Sequence, residues 1–112
     1  MPLIQITTTS DDRSELEEIA KRLIDQRLAA CCQILGPLAS IYRWRETIEE
    51  SSEWMCLIKT DERLYAAVEI LIRQIHHYEE PEIIATLITH GSAEYLDWVA
   101  KSVVANGNED QQ

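Results

Sequence analysis

The chain has 112 residues, 46% of them hydrophobic and 27% charged, and a formal net charge of −10. Such a length and balance predict one globular domain with a core of its own. The acidic excess argues against nucleic acid and against an anionic membrane surface, both of which call for a basic patch.

Residues 3–8 read as a first strand with Ile4 and Ile6 on one face. A polar break follows, in which Asp12 and Glu15 stand at capping-box spacing. Leu16, Ile19, Ala20, Leu23 and Ile24 then recur at helical spacing, predicting an amphipathic helix that ends near Gln26. The stretch 28–60 predicts two strands joined into one long hairpin. It is apolar over 28–35, rich in β-branched and aromatic residues over 39–45, and apolar again over 54–58. Gly36 and Pro37 mark a bulge or bend, and a polar turn is expected near 46–50.

Extended, residues 28–45 would span on the order of 50 Å. A domain of this length has a radius of gyration of about 13 Å. The hairpin therefore outreaches its own domain, and a second copy of the chain is the simplest cover for its tip.

Asp61 is placed to cap a second helix carrying Leu64, Ala67, Val68, Leu71, Ile72 and Ile75 on one stripe. His76, His77 and Tyr78 are expected to close that helix, and Pro81 forbids its continuation. Residues 82–89 predict a fourth strand. After a turn at Gly91, Ser92 caps a short third helix bearing Tyr95, Trp98, Val99 and Val103. The domain is read as 1–105, with 106–112 as a polar C-terminal tail.

The order βαββαβ plus a terminal helix predicts an α+β, ferredoxin-like sandwich with both main helices on one face of the sheet. Ile83, Ile84, Leu87 and Ile88, and the run 54–58, put apolar side chains on both faces. Burying each large one is worth roughly 1.5–3 kcal/mol, so a homo-oligomer is expected to cover the second face.

No run approaches 18 apolar residues, and the N-terminal stretch lacks the basic and apolar regions of a signal peptide. A cytoplasmic protein is expected, with Cys31, Cys32 and Cys56 as free thiols. Cys31 and Cys32, adjacent on a strand, should point to opposite faces. Nucleophile-elbow, phosphate-loop and closed zinc-site patterns are missing, so the expectation is a protein without enzymatic activity. An acid–base role for Tyr78 or a glutamate would need a shifted pKa in a cleft, which no motif marks.

The segment HHYEEPE over 76–82 concentrates possible metal ligands. His76, Glu79 and Glu82 form the leading set for a divalent ion, with Cys31 as a soft neighbour. The competing reading is a helix-terminal histidine beside solvated glutamates. Consecutive histidines on a helix would not face one ion. On the hairpin, Tyr42 and Trp44 share a face; with Trp54 and Tyr78 they are read as lining an intersubunit cleft, where aromatics either anchor a partner or stack a small ligand. Arg43 and Arg45 are expected to pair with Glu49, Glu50 or Glu53.

The blocks RLAACCQI, SIYRW, TIEESSEWMCLIKT, HHYEEPEIIA and THGSAEYLDWV resemble, in order over residues 3–103, the CutA family of divalent-cation tolerance proteins. The resemblance implies a trimeric ferredoxin-like fold whose hairpin strands pack between subunits. It implies a homotrimeric divalent-cation tolerance protein that binds metal ions, Cu2+ among them, at intersubunit clefts. The architecture is also similar to that of PII-type signalling proteins. The alternative is accordingly a PII-like sensor or adaptor that holds a small metabolite and signals to a protein partner. The chain departs from the family pattern at Arg43, Arg45, Glu46 and Thr47 of the hairpin, at His77 in place of proline, and at Cys32 and Gln33. Thr7 stands where some members carry a cysteine proposed as a metal ligand.

Overall fold

The computed structural model describes residues 2–105, so the tail 106–112 lies outside the described residues. The elements run β1 (Leu3–Ser10), α1 (Arg13–Asp25), β2 (Cys31–Trp44), β3 (Thr47–Asp61), a 3-10 turn (Glu62–Leu64), α2 (Tyr65–Ile75), β4 (Ile83–Ile88) and α3 (Ala93–Ser102). The four strands form one antiparallel sheet in the order β2-β3-β1-β4, the ferredoxin-like arrangement. The longest dimension of the described chain is 44 Å.

Strand alternation decides where the core lies. Ile4, Ile6, Cys56 and Ile58 point to one face, where Leu16, Ile19 and Leu23 of α1 and Val68 and Ile72 of α2 cover them. Both helices turn the stripe that the sequence spacing marks toward the sheet, although Ile24 at the end of the α1 stripe is left exposed.

At the start of α1, Asp12 accepts from the backbone N–H of Ser14 at 3.0 Å and of Glu15 at 3.3 Å. The reciprocal half of the expected capping box is not made. The Asp12 N–H goes to Ser10 Oγ instead, at 3.0 Å, and the Glu15 carboxylate is left for other partners.

The hairpin turns at Arg45 and Glu46, before the expected 46–50. Their φ values are +49° and +71°, the left-handed pair that a two-residue hairpin turn requires. Trp44 pairs directly with Thr47, whose hydroxyl donates to the Trp44 carbonyl at 2.9 Å. The expected bulge is present, with the register shifting between Leu35 and Leu38.

The second helix also ends earlier than expected. His76 still donates its N–H to the Ile72 carbonyl at 2.8 Å, but with ψ 133° it turns the chain outward. His76, His77 and Tyr78 thus belong to the loop that follows the helix.

The second face is not bare. Tyr95 of α3 meets Cys31, which lies on the face opposite Cys32 and Ile58, and Val99 is fully buried. The third helix therefore screens one end of that face. Beyond it, Leu35 and Ile84 remain 47% and 54% exposed, and on the projecting hairpin Ile41 and Ile48 reach 69% and 71%.

Gly36 makes the bulge possible. Its φ is +146°, and a Cβ there would lie 2.9 Å from the Trp54 ring and 3.1 Å from the Glu53 carbonyl oxygen. Gly36→Ala is expected to cost about 1–3 kcal/mol, read as a lower midpoint in chemical denaturation at unchanged slope.

Candidate functional site

On the hairpin, Leu38 stands opposite Glu53, Tyr42 opposite Glu49 and Trp44 opposite Thr47. Tyr42, Trp44 and Glu53 therefore share the sheet face away from α1 and α2. The loop after α2 closes over this surface. Tyr78 donates its hydroxyl to Glu53 Oε2 at 2.6 Å and accepts from the Asp11 N–H at 2.9 Å.

Together these parts enclose a cleft of about 330 Å3. It is lined by the aromatic rings of Tyr42, Trp44 and Tyr78, the carboxylates of Glu53, Glu79, Glu80 and Glu82, and Thr9. Partial burial, reinforced by the Glu53 carboxylate, holds the Tyr78 phenol well above its ordinary value. It stays a neutral donor. Glu53 is only 6% exposed, and that donor is what compensates its buried charge.

The cleft mouth is tied at one corner. Arg45 reaches Glu79 at 3.3 Å and lies over the Trp44 ring at 5.4 Å from its centroid. Arg45 thus pairs outside the expected set of Glu49, Glu50 and Glu53, because the early turn swings it toward the loop. Trp54 is not in the cleft. It points to the core face, where Arg13 lies 4.9 Å over its ring.

Beneath the loop, Glu15, His76 and His77 bring ligand-type atoms within 4.8 Å of one another, the one such trio among the described residues. Off the helix, consecutive histidines do converge on one carboxylate. His76 Nε2 donates to the Thr9 carbonyl at 2.7 Å, and its Nδ1 accepts from the Tyr78 N–H at 3.1 Å. Both nitrogens are thereby used, in the tautomer with the proton on Nε2. His77 Nδ1 sits 2.9 Å from each Glu15 oxygen, and its Nε2 is 3.2 Å from Asp11. The Glu15 hydrogen bond, with the nearby Asp11 and Asp12 charges, holds His77 above the usual imidazole value despite slight desolvation. Ser10 Oγ also donates to Glu15, at 2.8 Å.

The divalent ion tolerance family model, described as CutA1 divalent ion tolerance protein, matches residues 4–102. This chain belongs to that family. The CutA family member from Thermus thermophilus, named divalent-cation tolerance protein CutA, is 37% identical over 100 residues, covering 89% of this chain and 95% of that one. Its structure superposes with a TM-score of 0.88 at 34% identity, over 91% of this chain and 99% of that chain. The human relative, Protein CutA, is 38% identical over 91 residues, 81% of this chain, but this chain spans only 51% of its length. The Archaeoglobus fulgidus structure is titled as that of a periplasmic divalent cation tolerance protein, with a TM-score of 0.87 at 35% identity over 91% of this chain and 99% of that one.

For this CutA1 family member, the donor sets decide where a divalent ion fits. In the Glu15–His76–His77 trio, His76 Nδ1 accepts from a backbone N–H and lies 3.4 Å from Glu15 Oε2, while both His77 nitrogens face carboxylates. It is a latch for the loop. Glu79 and Glu82, from the expected ligand set, do stand on the cleft wall, with Glu80 and Glu53. Cys31 lies toward the other end of the sheet, paired with Lys59. Carboxylate oxygens suit hard and borderline divalent ions, but no three of the cleft carboxylates fall within 4.8 Å among the described residues.

The roles of Glu15 and Asp11 were hidden in the sequence, since the spacing that marks a capping box says nothing of which way Glu15 turns. Glu53 was findable: once the bulge is placed at Gly36, register puts it on the face of Tyr42 and Trp44.

Since the folded state raises the His77 pKa, its contribution is full below the unfolded value of about 6.5 and is lost as pH rises through the folded value. Proton-detected titration should place the His77 midpoint above that of an exposed histidine. Glu15→Gln should return it toward the ordinary value and speed amide exchange across 76–80.

Proposed function

We propose that this chain is a non-enzymatic, homotrimeric divalent-cation tolerance protein of the cytoplasm, binding its ions, copper among them, in acidic clefts completed by a neighbouring subunit. The observation that carries this reading is the cleft itself. It combines aromatic rings with several carboxylates, runs along the hairpin arm, and holds too few convergent donors to close a metal shell alone. The net charge of −10 favours cations over anions as ligands. Exposed Ile41, Ile48, Leu35 and Ile84 give an assembly its apolar seams. Three free cysteines fit a reducing compartment.

In this reading Glu79 and Glu82 are direct or water-mediated ligands. His76 works from behind, fixing the loop through Thr9, and Cys31 stays outside the cleft. The Tyr42 and Trp44 rings favour one alternative, a PII-like sensor that stacks a flat metabolite in the same cleft and signals to a protein partner.

Sedimentation at micromolar concentration should give a species three times the 12.9 kDa chain mass. Ile48→Asp should shift it toward the monomer. Calorimetric titration with Cu(II), Zn(II) and Ni(II) should show Glu79→Gln and Glu82→Gln each weakening binding by about 10–100-fold. Unchanged affinity in both variants removes the proposed site. Stabilisation by nucleotides or small carboxylates, with none by metal, selects the sensor.

A further inference from the structure

Cys32 and Cys56 are diagonal neighbours on the β2–β3 ladder. Cys32 stands opposite Ile58 and Cys56 opposite Ile34, so both thiols fall on the face covered by α1. At that placement the two thiols act on each other, which holds the Cys32 thiol up and lets Cys56 down. Cys56 is fully buried, whereas Cys32 is half-buried and reaches a cavity of about 400 Å3 formed with Ala20, Lys21, Ile24 and Asp25. The pair therefore has a route to solvent, on the opposite face of the sheet from the acidic cleft. Cys31 cannot join it, because it points to the other face beside Tyr95.

Two sulfurs with no third donor are a selective arrangement. Zinc takes four ligands, and hard divalent ions take oxygens. Thiolates select soft ions, Cu(I) above all, and an ion of that kind is satisfied by a linear S–M–S pair. We propose that Cys32 and Cys56 form a two-sulfur site for a soft d10 monovalent cation such as Cu(I), distinct from the divalent-cation cleft. Binding replaces the two S–H bonds by two S–M bonds and releases both protons to solvent, with no change of oxidation state. The resulting single negative charge lies beside a pocket that both Lys21 and Asp25 line, and Lys59 acts favourably on the Cys32 thiolate.

The test uses the reduced full-length protein under anaerobic conditions, with Cu(I) partitioned against a chromophoric Cu(I) chelator. Wild type should take up one ion per chain, and X-ray absorption at the copper edge should report a shell of two sulfurs. Cys32→Ser should weaken uptake by more than about 100-fold, beyond what loss of an outer-shell contact costs, while Cys31→Ser leaves it unchanged. Cys56→Ala should match Cys32→Ser. Should Cys56→Ala not fold, the sulfur count in wild type and the contrast between the two serine variants still decide. A nitrogen or oxygen shell overturns the proposal, as does equal loss in Cys31→Ser and Cys32→Ser. So does a reduced protein that takes up no Cu(I) yet forms a Cys32–Cys56 disulfide on oxidation.

Discussion

The Glu53 carboxylate is the charge around which this molecule arranges its working end. It is buried at the root of the hairpin, where an uncompensated anion would cost several kcal/mol. The Tyr78 hydroxyl compensates it at 2.6 Å and at the same time accepts from the Asp11 N–H. One phenol thus joins three segments that are far apart in sequence: the hairpin, the loop after α2 and the turn between β1 and α1. A hydrogen bond to a charged group is worth about 1.5–3 kcal/mol. Without it, the loop would have little reason to lie over the hairpin, and the cleft would lose a wall.

Glu15 performs a parallel task on the other side of the same loop. It accepts from Ser10 Oγ, from the His77 backbone N–H and from His77 Nδ1. With Tyr78 on one side and His77 on the other, residues 76–78 are clamped by two carboxylates drawn from different elements. The buried His76 ring fills the space between, with each nitrogen spent on backbone. Three side chains that look like a metal centre are better understood as the fastening of a wall. The carboxylates that face open space are Glu80 and Glu82, with Glu79 held by Arg45.

The hairpin explains why the rest of the surface looks unfinished. The bulge at Gly36 lets β2 and β3 continue past the region that α1 and α2 cover, which leaves much of the arm beyond it exposed. Ile41 and Ile48, far out on the arm, are the most exposed large apolar residues of the described chain. Helix α3 screens only the end of the second face near Cys31. Apolar surplus and an open acidic cleft occur on the same projecting element.

Periodicity determined the strands, the helices, the ferredoxin-like order and the surplus of apolar sheet, because each is written in the local alternation of polar and apolar residues, and the Gly36 and Pro37 pair marked the bulge. It could also separate Cys31 from Cys32, since neighbouring strand residues must diverge. Only the tertiary structure decided that the hairpin closes at Arg45 and Glu46. It likewise decided that α2 stops before His76, and that Glu15 abandons the reciprocal cap for His77. Those outcomes depend on carboxylates finding donors across dozens of residues of sequence. A local pattern carries no information about which distant donor will arrive.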